Sequence, residues 1–138
     1  MQQSFRCGIN SYRAEQIVMT LFLQAYQRRT CQLNVTVNGA DGTPEIFAAG
    51  DVFRVKIGSA GQSPVLDLDS VTPTDSGSSL TAANPSRLYL HQDDLVFPPG
   101  AYDMEVSIVD DSDGDTIKHA EKGVFVLHPT ELGDVGLT

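Results

Sequence analysis

The sequence has no tryptophan, only two cysteines and half as many basic as acidic residues, and each shortage closes off a class of function. Without Trp, only Tyr12, Tyr26, Tyr89 and Tyr102 combine a broad ring with a polar tip that could stack on a sugar. Nine Lys and Arg against eighteen Asp and Glu leave a net charge of −9. That charge repels phosphate backbones and anionic bilayers, so neither nucleic acid nor a membrane is an expected partner. The longest apolar run, Ile17 to Leu23, is broken by Thr20 and is far short of the ~20 residues that span a bilayer. Gln24-Ala25-Tyr26, which follows it, makes a poor signal-cleavage site. Cys7 and Cys31 cannot build a disulfide framework, and a single bridge requires the N-terminal segment to fold back onto the strand holding Cys31. They read as two half-buried thiols in a protein folded in a reducing cytoplasm. Scattered His91, His119 and His128 add no regular zinc-ligand spacing. No cofactor is expected.

What is present is enough for one folded domain: 138 residues, 41% of them hydrophobic, a size that buries roughly 68% of the unfolded surface. Segments of period-two alternation are separated by turn chemistry. Leu33, Val35 and Val37 alternate with Asn34 and Thr36 ahead of Asn38-Gly39-Ala40-Asp41-Gly42. Val52 to Ile57 repeats the pattern with Arg54 and Lys56 facing outward, and Leu66 and Leu68 alternate with Asp67 and Asp69. Thr72 to Asn84 reads as the longest loop, and Leu88 and Leu90 as a short strand. After Pro98-Pro99-Gly100 comes the clearest strand, in which Tyr102, Met104, Val106 and Ile108 oppose Asp103, Glu105 and Ser107; Thr116 to Leu127 closes the series. Strands about ten residues apart, without helical segments between them, predict an antiparallel β-sandwich. Ala14 to Arg29 also fits a helical stripe, but its Ile, Val, Thr and Phe favour a strand. Such a strand is apolar on both faces, which predicts cover from another subunit.

Few motifs carry chemistry. Asp110-Asp111-Ser112-Asp113-Gly114-Asp115 resembles the first half of a calcium loop. The loop should end on a bidentate Glu; counted from Asp111, that place holds Lys122. Asp111, Asp113 and Asp115 therefore read as a solvated hairpin turn, and no metal site is expected. Gly61-Gln62-Ser63-Pro64-Val65 lacks the second glycine of a nucleophile elbow. His119 beside Glu121 reads as a surface imidazole near a carboxylate, and Asn34-Val35-Thr36 as a chance sequon. No catalytic residues are expected.

Several phrases do resemble a known group. Leu21 to Val37, Asp51 to Ile57, Pro64-Val65-Leu66-Asp67-Leu68, Leu95 to Val106, Asp113-Gly114-Asp115 and Gly123-Val124-Phe125-Val126-Leu127 resemble small immunoglobulin-like β-sandwich domains of tailed-bacteriophage virions. The nearest likeness is to the N-terminal domains of baseplate upper proteins and to head or tail decoration proteins. It spans about residues 17 to 130. Where those domains often carry a Gly-Asp turn after the first strand, this chain has Ala25-Tyr26-Gln27, and the likeness does not extend to a C-terminal fibre. It implies an immunoglobulin-like sandwich, placed at residues 14–130; residues 1–13 read separately as an N-terminal assembly arm and 131–138 as a tail. It also implies a non-enzymatic virion protein, assembled in the bacterial host cytoplasm as a capsid decoration or cement protein. The alternatives are a tail or baseplate adaptor and a carbohydrate- or ligand-binding sandwich. Partners would be other virion proteins and further copies of the chain. Residues 1–13 mix Phe5, Cys7, Ile9 and Tyr12 with polar residues and Arg6 and Arg13, without a strand or helix period. Phe5, Ile9 and Tyr12 are accordingly the expected interface anchors, seated in a neighbouring subunit.

Overall fold

Alternating apolar residues can bury one face of a strand only if a second layer covers it, and the computed structural model meets that demand with two sheets. It describes residues 8–13, 19–110 and 116–130, with side chains from residue 21 onward. The strands are β1 (Gly8–Arg13), β2 (Met19–Tyr26), β3 (Cys31–Val35), β4 (Asp51–Gly58), β5 (Leu66–Asp69), β6 (Ser79–Leu80), β7 (Ser86–Leu90), β8 (Gly100–Asp110) and β9 (Thr116–His128), with a 3-10 turn at Gln92–Asp94. One sheet has six strands in the order β1-β2-β9-β8-β4-β5, the other three in the order β3-β7-β6. All ladders are antiparallel except β2 with β9, which is parallel. Among the described residues there is no α-helix and no helix long and apolar enough to cross a membrane. The fold is all-β, as the alternation predicts.

Both sheets feed one core. Leu23, Phe53, Val55, Ile57, Val106, Ile108 and Phe125 from the larger sheet and Leu33, Val35, Leu88 and Leu90 from the smaller are all buried within a single cluster. In β8, Met104, Val106 and Ile108 point into it as read from the sequence, and Tyr102 packs at its margin. There Phe97 stands edge-on to the Tyr102 ring at 5.1 Å, and the Tyr102 hydroxyl donates to the Pro98 carbonyl, tying the Pro98-Pro99-Gly100 turn to the strand it launches. Loops are fastened by side chains. Asn84 acts as a strand substitute for Val37, accepting its N–H at 3.0 Å and donating to its carbonyl at 2.9 Å and to that of Glu45 at 2.7 Å.

The structure corrects three expectations. The first is that β2 needs cover from another subunit: it lies inside the sheet, between β1 and β9 of the same chain. Leu21, Leu23 and Ala25 enter the core, while Phe22, Gln24 and Tyr26 remain partly exposed on the other face. The second is that 1–13 lacks a strand: Gly8–Arg13 pairs antiparallel with β2, Ile9 opposite Leu23 and Tyr12 opposite Thr20. The period was illegible because a short strand at a sheet margin need not alternate apolar and polar residues. The strand favoured over a helical stripe for Ala14 to Arg29 is present over Met19–Tyr26; residues 14–18 lie outside the described part. The third is the free thiol: Cys31 is disulfide-bonded, to a partner outside the described residues.

The parallel β2–β9 ladder depends on one missing side chain. Gly123 pairs with Leu21, and a Cβ at Gly123 would stand 2.8 Å from the Leu21 Cβ and closer still to its carbonyl oxygen. Only glycine lets the strands approach that closely. Beyond this point Tyr26 stacks on His128 with centroids 4.8 Å apart, and His128 Nε2 lies 3.0 Å from Gln24 Oε1.

Candidate functional site

The outward face of the larger sheet holds an open concavity. β4, β8 and β9 align Lys56, Glu105 and Lys122 in one cross-strand row. Their neighbours in the strands, Ile57 and Met104, are buried, so the alternation turns the three charged residues outward. The β4–β5 loop rises beside this row, closed by hydrogen bonds from Gln62 N–H to the Ser59 carbonyl and from Val65 N–H to the Ile57 carbonyl. Loop and row enclose an open groove of about 420 Å³. Gly58 lets the loop return close, since a Cβ there would stand 2.9 Å from Pro64 Cα. Asp103 and Gln62 complete the polar lining.

The electrostatics of the groove are unusual for this chain. Lys56, Lys118 and Lys122 are its only lysines, and β4 and β9 carry all three. Lys118, at the other end of β9, is committed: its Nζ lies 2.8 Å from Oδ2 of buried Asp51, which also accepts the Ala48 N–H at 2.8 Å. The Asp51 hydrogen bond raises the Lys118 pKa above the ordinary lysine range. Lys56 and Lys122 have no carboxylate within ion-pair distance among the described residues. Glu105 sits between them and exposed Asp103 at the rim, so these four groups sum to zero in a chain of net charge −9. No aromatic ring lines the groove, so it offers no stacking platform for a sugar.

A second polar cluster brings together Ser, Asp and His without nucleophile geometry. The buried Ser78 hydroxyl donates to Asp94 Oδ2, which also accepts the Thr74 hydroxyl at 2.7 Å. His91 meets Ser78 through its backbone N–H, at 2.8 Å, while its Nδ1 accepts the Asp93 N–H at 3.1 Å. A general base would take the serine proton on the imidazole; here the carboxylate holds it. The cluster pins the loop before β6 to the 3-10 turn.

The residues singled out from the sequence are placed as follows. Phe5 lies outside the described residues; Ile9 and Tyr12 fall in β1. The turn of Asp111, Asp113 and Asp115 also lies outside, and no cluster of three metal-ligating side chains occurs among the described residues. His119 and Glu121 share a face of β9, with a bulge separating His119 from Ile117, and Glu121 Oε2 accepts the Asn38 N–H at 3.0 Å. Glu121 thus anchors the turn after β3. The groove was half visible: Arg54 and Lys56 read as outward, but placing Lys122 across from Lys56 requires the β8–β9 register, which a bulge at Ile108/Val109 shifts. Comparison with family models, curated proteins and solved structures finds no match to the chain.

Proposed function

We propose that the chain is a non-enzymatic structural protein of a tailed-bacteriophage virion, built on an immunoglobulin-like sandwich and acting through its surfaces as a capsid decoration or cement protein. The observation that carries the reading is the β8–β9 hairpin. The phrases that most resemble virion sandwich domains, Leu95 to Val106 and Gly123 to Leu127, form one contiguous unit with the Tyr102-to-Pro98 hydrogen bond at its base. A tyrosine at the start of the penultimate strand, bonded back to the chain just upstream, is the corner of immunoglobulin-type sandwiches. Strand order supports the same reading: β9-β8-β4-β5 follows the G-F-C-C′ order of variable-type domains and β3-β7-β6 the B-E-D order. β1 and β2 extend the G side.

The mechanism would be mass action: a subunit that binds only the assembled shell stabilises it in proportion to occupancy. The test is co-sedimentation of the purified protein with particles assembled without it. Saturable binding to heads, with a raised disassembly temperature, is the expected result. Binding confined to tails would favour the adaptor alternative, and absence of binding to either would overturn the virion reading.

A further inference from the structure

We propose that the Lys56–Lys122 groove is a docking site for a second copy of this chain, entered by the acidic segment that joins β8 to β9. The proposal rests on the assembly reading above and names the contact it would use. Three observations meet here. The groove holds two lysines that have no carboxylate within ion-pair distance among the described residues, on either side of Glu105. The segment Asp110 to Asp115 is the densest run of carboxylates in the sequence, four in six residues. Topology puts the two at opposite ends of one hairpin: the groove beside Asp103, Glu105 and Lys122, the acidic segment between Asp110 and Thr116.

Groove and acidic segment on opposite ends of one element make a heterologous, head-to-tail contact, which closes into a ring or continues as a row of subunits. Charge selects the orientation. Two copies of net charge −9 repel over most of their surface. An acidic segment approaching the groove instead meets a net-neutral patch with two ammoniums on stems that can swing toward it, and Gln62 as a further polar contact. Arg54 does not compete, since its Nε already faces Asp67 at 3.9 Å.

The experiment uses two doubly substituted full-length chains, one altered in the groove (Lys56→Met with Lys122→Met), the other in the acidic segment (Asp111→Asn with Asp113→Asn). Sedimentation velocity follows each alone and an equimolar mixture, at low and high salt, with circular dichroism verifying the fold. The native chain should self-associate at low salt and dissociate at high salt. Each altered chain alone should associate at least tenfold more weakly. The mixture should recover association but stop at pairs, because one chain retains the acidic segment and the other the groove. A native chain that stays monomeric at low salt, altered chains that associate normally, or a mixture that fails to pair would each overturn the proposal. Particle co-sedimentation of the groove variant separates this outcome from the wider reading: undiminished occupancy with no self-association removes the groove contact and leaves the virion role standing.

Discussion

At Gly123 the fold turns on a single hydrogen atom. Because a Cβ there would press into Leu21 on β2, Gly123→Ala should destabilise by about 1–3 kcal/mol through overpacking of paired backbone. Urea denaturation measures the loss, and Gly61→Ala, where a Cβ has open space at φ +78°, should cost only its backbone strain. Tyr102→Phe deletes the hydroxyl bonded to Pro98 and keeps the ring against Phe97, so its cost should be about 1 kcal/mol, the net worth of one hydrogen bond. Lys118 reports on pH. Its pKa is raised by the hydrogen bond it donates to Asp51, so its stabilisation is fully present below the ordinary lysine pKa and lost as pH rises through the folded value. The native chain should therefore lose more stability between about pH 9 and pH 12 than Lys118→Met does, read as the difference in denaturation midpoints.

At the scale of elements, the N-terminal hairpin decides most. If β1 covers the margin of β2, removing residues 1–13 exposes a strand with Leu21, Leu23 and Ala25 on one face and Phe22 on the other. The truncated protein should melt earlier and scatter light on heating; an unchanged melt would mean that β1 contributes nothing to the sheet. Cys31→Ser should also lower the melting temperature under oxidising conditions and leave it unchanged under reducing ones, since the bridge at the first residue of β3 restricts the unfolded chain. Strands β3, β4, β5, β7 and β8 were legible because each exposes one face to a single core and shows it as alternation. β2 was ambiguous because Phe22 sits among inward-facing Leu21 and Leu23, and three adjacent apolar residues fit either period. β1 was invisible because residues 8–13 show no strand period, and the backbone pairing with β2 that defines it leaves no such mark in the sequence. The disulfide of Cys31 was missed because the local sequence around a cysteine does not show what the folded chain brings to it.

For the whole molecule, the class was readable and the pairing was not. Composition, charge and turn spacing lead to an all-β sandwich, whereas the order of six strands in one sheet follows from contacts between distant segments. The candidate site lies in that second category, since Lys56 and Lys122 meet only through β8. The parallel β2–β9 ladder also governs how the molecule comes into being. It joins Leu21 to Gly123 across 102 positions, so β2 has no partner on its inner side until β9 exists. During synthesis β1 and β2 must wait as a solvated hairpin while β3 to β8 find one another. Loop closure over that span is paid before any contact rewards it. Refolding should accordingly show the centre of the sheet protected from hydrogen exchange first and Leu21 to Ala25 last, with the final phase slowed in Gly123→Ala.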